Sequence, residues 1–173
     1  MKNLIIAIDP SQAYGGNNIG HVGFYKLVFD ENFTVLFEKC TQVLLRDKID
    51  NGLVIEELNK LKDGEYFQVY VVIEDYILYG DKTHFQVNKS FPISELIGYI
   101  KYVVDTWENA RFIKQRAQLV KKTFADKILN HRKIIEKNKR SYVLTFTGKE
   151  VSKHERDAIR HGQYFFEKLK TLL

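Results

Sequence analysis

Four side chains in this sequence have the types and placement to do chemistry together: Asp9, Glu74, His154 and Asp157. Asp9 closes the apolar run Leu4-Ile5-Ile6-Ala7-Ile8, and Glu74 closes the run from Tyr66 to Ile73. His154 and Asp157 stand three residues apart in the stretch Lys153–His161, which reads as a helix and puts them on one face with Ala158 and His161. Three carboxylates converging from separate elements repel one another unless a cation lies between them. Hard divalent cations such as Mg²⁺ take carboxylate oxygens. A pair of such ions clamps the attacking and leaving oxygens of a phosphoryl displacement. Singly, each residue has a plain alternative: Asp9 capping a loop, Glu74 solvated at a strand end, Asp157 paired with Arg156 or Arg160 on a helix surface. The combination is what points to a site.

The elements that must position these groups can be read in order. A short uninterrupted apolar run is a strand buried on both faces, so Asp9 falls at the carboxyl lip of a sheet, where open α/β folds place ligands. His21–Phe29 and Phe33–Cys40 alternate as strands around the turn signal Asp30-Glu31-Asn32, a hairpin. The first three strands are therefore expected to form an antiparallel meander. A helix over Gly52–Lys62 and a buried strand over Tyr66–Ile73 follow. Strand, helix, buried strand favours a right-handed crossover and parallel pairing, which lays Glu74 beside Asp9 and Asp75 on the opposite face. After a loop from Tyr76 to Asn88, Ser90 and Pro92 suit a helix start, with 3.6-residue periodicity to Asn109. Arg111–Ala117 and Tyr142–Phe146 read as short strands, with a turn at Thr147-Gly148. Ser152 opens the last helix, and Glu155 is its capping-box partner.

The totals fit one soluble domain over residues 1–173. Cys40 is the only cysteine, which rules out a disulfide framework and a thiolate metal cage and suits a reducing compartment. No apolar run approaches the ~20 residues of a membrane span, so a cytoplasmic protein is expected. The net charge of +5 is unevenly spread: Arg111–Arg140 carries eleven Lys and Arg against Asp126 and Glu136, which is +9 and leaves −4 for the rest. A basic segment of this kind suits the phosphates of a nucleic acid. Arg116, Lys121, Lys122, Lys127 and Arg132 are the candidate DNA contacts within it.

Ile8-Asp9-Pro10, Ile73-Glu74 and His154-x-x-Asp157-Ala158, in this order and spacing, resemble the motifs of the RuvC-type Holliday junction resolvases, nucleases of the RNase H-like superfamily. Val120-Lys121-Lys122-Thr123-Phe124 is similar to a basic segment before that family's final motif. The resemblance spans nearly the whole chain through short motifs. It implies an α/β fold with a five-stranded mixed sheet, its first three strands antiparallel and the rest parallel, flanked by helices. It also implies a site for two Mg²⁺ or Mn²⁺ ions, and a homodimer that cuts four-way DNA junctions. By motif match, Asp9, Glu74 and Asp157 are metal ligands. His154 stands where many members have aspartate, as either a ligand or a water-activating group. Tyr76 falls where members place an apolar or aromatic residue near the junction. Ser11 departs from the family's usual glycine, and the loop from Ser11 to Gly20 is longer than expected. His161, one turn further along the helix, reads as a surface or packing residue. A compact resolvase suits a phage or a bacterial recombination system. Other readings are an RNase H-like nuclease for flaps or RNA–DNA hybrids, and a non-catalytic nucleic-acid-binding module. An actin-like phosphotransferase would need a second glycine-rich loop, which the sequence lacks.

Overall fold

A computed structural model of the chain describes residues 1–10, 20–45, 51–75, 92–138 and 141–172. Strand β1 (Lys2–Pro10) lies at the centre of a five-stranded sheet. It pairs antiparallel with β2 (Gly20–Asp30), which pairs antiparallel with β3 (Val35–Leu45). On its other side β1 runs parallel to β4 (Gln68–Asp75), and β4 parallel to β5 (Ala110–Arg116). The order β3-β2-β1-β4-β5 is the mixed sheet expected from the sequence, antiparallel for three strands and parallel thereafter.

Helices α1 (Asn51–Lys62) and α2 (Pro92–Asp105) cover one face. The 20-residue α5 (Lys153–Leu172) covers the other. Alternation along the strands sorts side chains between the two cores. Leu4, Ile6 and Ile8 of β1 and Val69, Val71 and Ile73 of β4 face α1 and α2. Ile5 and Ala7 of β1 and Tyr70 and Val72 of β4 face α5. A one-residue slip of β1 would exchange these sets. Burial of each large aliphatic side chain contributes about 1.5–3 kcal/mol, so core packing also fixes which way Asp9 and Glu74 point: toward α5.

Several boundaries differ from the sequence expectation. The third strand continues past Cys40 to Leu45. Helix α2 stops at Asp105 instead of Asn109 because Thr106 and Trp107 donate backbone N–H bonds only three residues back, to Val103 and Val104. The basic segment, expected to hold one strand, also contains the short helices α3 (Ala117–Thr123) and α4 (Asp126–His131). A second, antiparallel sheet of β6 (Ile135–Asn138), β7 (Ser141–Leu144) and β8 (Lys149–Val151) replaces the single strand expected at 142–146. Each of these strands gives one buried anchor to the α5-side core, Ile135, Leu144 and Val151 respectively, too few to leave a periodic signal. The expected Ser90 cap and the 76–88 loop lie outside the described residues. No helix among the described residues is long and apolar enough to cross a membrane.

Candidate functional site

The parallel register Ile8↔Ile73 brings the next residues of both strands, Asp9 and Glu74, together at the carboxyl lip of the sheet. Asp9 is only 6% exposed. Burial raises its pKa above the ordinary carboxylate value and the Glu74 carboxyl adds to this, while the hydrogen bond with His154 works against it. Burial pushes Glu74 upward too, but the His161 hydrogen bond and the Lys121 ammonium outweigh it and hold Glu74 below its usual value. Of the two neighbouring carboxyls, Glu74 therefore gives up its proton more readily.

The third strand of this corner, β2, supplies a glycine. Gly23 pairs with Asp9 across the antiparallel ladder, and its missing side chain admits the first turn of α5. A Cβ there would lie 2.3 Å from the carbonyl carbon and oxygen of His154 and 2.6 Å from the nitrogen of Glu155. This approach sets His154 Nδ1 2.8 Å from Asp9 Oδ2. The His21 ring stacks on the His154 ring at 5.5 Å and 7°, and His21 Nδ1 is 2.8 Å from Gln42 Nε2. The helix start is closed as its sequence indicates: the Ser152 N–H donates to Glu155 Oε2 (2.8 Å) and the Glu155 N–H donates to Ser152 Oγ (3.2 Å). Lys149 Nζ donates to Glu155 (2.5 Å) and to the Cys40 carbonyl (2.8 Å). Burial, reinforced by Glu155, pushes the Cys40 thiol up to about 12, so this cysteine is no nucleophile.

Asp157 enters from the same helix, one turn on, and is 4% exposed. Arg160 donates to it and, through its other terminal nitrogen, to Asp126 at the start of α4. Lys121, from α3, places Nζ 3.3 Å from Asp157 Oδ2 and 3.7 Å from Glu74 Oε2. Glu74 and Asp157 thus meet around a positive charge supplied by the chain. As the side chains stand, no three His, Cys, Asp or Glu among the described residues are gathered closely enough to enclose an ion. The donor set is nonetheless that of a hard divalent cation, oxygen-rich with one imidazole, and Lys121 shows that a cation is accommodated between Glu74 and Asp157.

The structure gathers Asp9, Glu74, His154 and Asp157 at one corner, with Asp75 turned away toward Lys114 (3.7 Å). The candidate DNA contacts separate into two groups. Arg116, Lys122 and Lys127 are exposed and make no ion pair within the described residues. Lys121 belongs to the carboxylate cluster, and Arg132 is engaged with Glu167 (3.0 Å) and the Phe124 ring (5.0 Å). Tyr76 and the loop after Pro10 lie outside the described residues. Of the two readings of His161, surface or packing, the contacts decide for a buried position: it is fully buried against Glu74 and Gln115. Its position seven residues after His154, on the same helix face, was the available signal. Gly23, Gln115 and His21 carried none, because each earns its place only from a neighbour on another element.

No family model matches the sequence, and no curated protein matches it. Solved structures do. The structure titled as RuvC of T. thermophilus in complex with Holliday junction substrate superposes with a TM-score of 0.54 at 11% identity, over 97% of this chain and 96% of that one. RNase H1 from the halophilic archaeon Halobacterium salinarum matches at TM-score 0.39 and 9% identity, over 75% of this chain and 98% of the other. LC11-RNase H1, isolated from compost by a metagenomic approach, matches at TM-score 0.39 and 21% identity, over 74% and 93%. The match to that RuvC structure, which aligns nearly the whole of both chains, shows the fold: this chain shares the RuvC fold, a five-stranded mixed sheet flanked by helices.

Proposed function

We propose that this protein is a divalent-metal-dependent endonuclease that hydrolyses phosphodiester bonds in branched DNA, with the four-way junction as its substrate. The observation that carries this reading is the meeting of Asp9 and Glu74, from adjacent parallel strands, with His154 and Asp157 of α5. Asp9, Glu74 and Asp157 would hold two Mg²⁺ or Mn²⁺ ions, with His154 as a further ligand or as the group that orients water. Bound ions of this kind stabilise the charge that develops on phosphoryl oxygens and activate the attacking water. The chain supplies the rest. Asp9 holds His154 through Nδ1, which leaves Nε2 for a ligand or a proton. Arg116, Lys122 and Lys127 are exposed cations suited to the DNA phosphates flanking the scissile bond. The protein acts as a homodimer, so that two sites cut opposing strands of a junction, and works in the cytoplasm of a bacterial cell or phage-infected host.

The test uses purified protein with synthetic four-way junctions, flaps, duplexes and RNA–DNA hybrids, in Mg²⁺ or Mn²⁺, beside an Asp9→Asn variant. Junction cleavage by the wild type, with binding but no cleavage by the variant, is the expected result. Equal cleavage by both removes the site assignment. Cleavage of hybrids or flaps alone leaves a nuclease of another specificity, and junction binding without cleavage leaves a non-catalytic binding module.

A further inference from the structure

His161 has no solvent exposure, yet both of its ring nitrogens face polar partners. Nδ1 lies 2.9 Å from Gln115 Oε1 and Nε2 lies 3.3 Å from Glu74 Oε2. Gln115, itself 8% exposed, pairs with Glu74 across the β4–β5 ladder, so the three residues form a closed triangle over two strands and α5. An imidazole that only filled space here would bury two polar atoms at a cost that a leucine avoids. Both nitrogens are instead engaged: an ionised carboxylate can only accept, so Nε2 donates to Glu74, and in the neutral ring Nδ1 then accepts from the Gln115 side-chain amide turned to present its NH₂. Glu74 is the carboxylate candidate with the most freedom: it is the penultimate residue of β4, and its side chain is 23% exposed where those of Asp9 and Asp157 are 9% and 5%. The contact is to Oε2, the oxygen that Lys121 also approaches at 3.7 Å, so His161 and Lys121 hold the carboxylate from two sides.

We propose that His161, held by Gln115, is a positioning residue that fixes the Glu74 carboxylate for cation binding. The inference rests on the nuclease reading above and adds to it an outer partner that the three motifs do not contain. Outer partners that orient ligands are typically worth about 10–100-fold in metal affinity.

The experiment titrates Mn²⁺ into the full chain without nucleic acid, following free ion by electron paramagnetic resonance. Wild type, Asp9→Asn, His161→Leu, His161→Gln and Gln115→Leu are compared, each with a thermal melt. Asp9→Asn should lose the site, and His161→Leu should weaken it at least about tenfold. His161→Gln, which retains an N–H donor, should recover most of that loss, and Gln115→Leu should show a smaller loss. If Asp9→Asn weakens binding while His161→Leu and Gln115→Leu bind Mn²⁺ like the wild type, the positioning role is wrong and the nuclease reading survives. A His161→Leu chain that melts lower but binds normally identifies packing as the residue's whole role and overturns the proposal. Should that variant not fold, Gln115→Leu and His161→Gln decide: unchanged affinity in the first, or a full loss in the second, overturns it. If Asp9→Asn binds as the wild type does, the metal reading falls, and this inference with it.

Discussion

Gly23→Ala tests the geometry of the site most directly, because the added atom is small and its consequence can be worked out. A Cβ at position 23 would stand 2.3 Å from the His154 carbonyl carbon and oxygen, where ordinary contact begins at 3.4 Å. Both neighbours are backbone, so no side chain can swing aside. Relief requires the first turn of α5 to move off β2 by about 1 Å, with His154 and Asp157 moving too. Overpacking of this kind costs about 1–3 kcal/mol. At about 2–4 °C per kcal/mol for a chain of this size, the melting temperature should fall by roughly 2–12 °C. Displacement of catalytic groups by about 1 Å can cost roughly 100-fold in rate, so single-turnover junction cleavage should drop by far more than the loss of folded protein explains. Gly98→Ala is the control: it lies on α2, and its Cβ meets nothing within 4 Å. Alanine there should leave cleavage unchanged and add about 0.5–1 kcal/mol of stability. A Gly23→Ala chain that melts and cuts like the wild type would refute the claim that this glycine sets the distance between helix and sheet.

Two further expectations concern charge. Lys122→Ala and Lys127→Ala should each weaken binding to every DNA tested and reduce the slope of log affinity against log salt by about 1; Arg132→Ala, which loses the Glu167 pair, should instead act mainly on stability. An unchanged slope in the two lysine variants would remove α3 and α4 from the DNA surface. Glu155 contributes to the acid limb. Burial pushes its pKa up, but Lys149 and the Ser152 N–H outweigh burial and hold it below 4.5 in the folded chain. Its contribution is thus complete above about pH 4.5 and is lost as pH falls through the lower, folded value. Glu155→Gln, which keeps an oxygen to accept the Ser152 N–H but loses the charge facing Lys149, should cost up to about 1 kcal/mol in urea unfolding at pH 7, and converge with the wild type as pH falls through the folded value. Parallel curves across that window would show that the capping carboxylate carries no such contribution.

The central part of this fold is legible in the residue pattern. The runs ending at Asp9 and Glu74 are apolar at nearly every position, and only strands buried on both faces need that. Strand–helix–strand order then leaves parallel pairing as the natural connection. Parallel strands bring their carboxyl ends to one lip of the sheet, which puts Asp9 and Glu74 at the same edge, and the 3.6-residue period groups His154, Asp157 and His161 on one helix face. What the sequence could not decide are the contacts between those faces. Whether Lys121 serves DNA or the carboxylates depends on where a seven-residue helix lands, and nothing local encodes that. The β6–β7–β8 sheet is held by one buried residue per strand, so its pairing is settled by the core beneath it. Gly23 in a strand looks like a weak point until the helix that needs its empty side is in place. His161 looks like packing until Glu74 and Gln115 are seen to close around it. Periodicity along one element tells which side a residue faces; only tertiary packing supplies the atom it meets there.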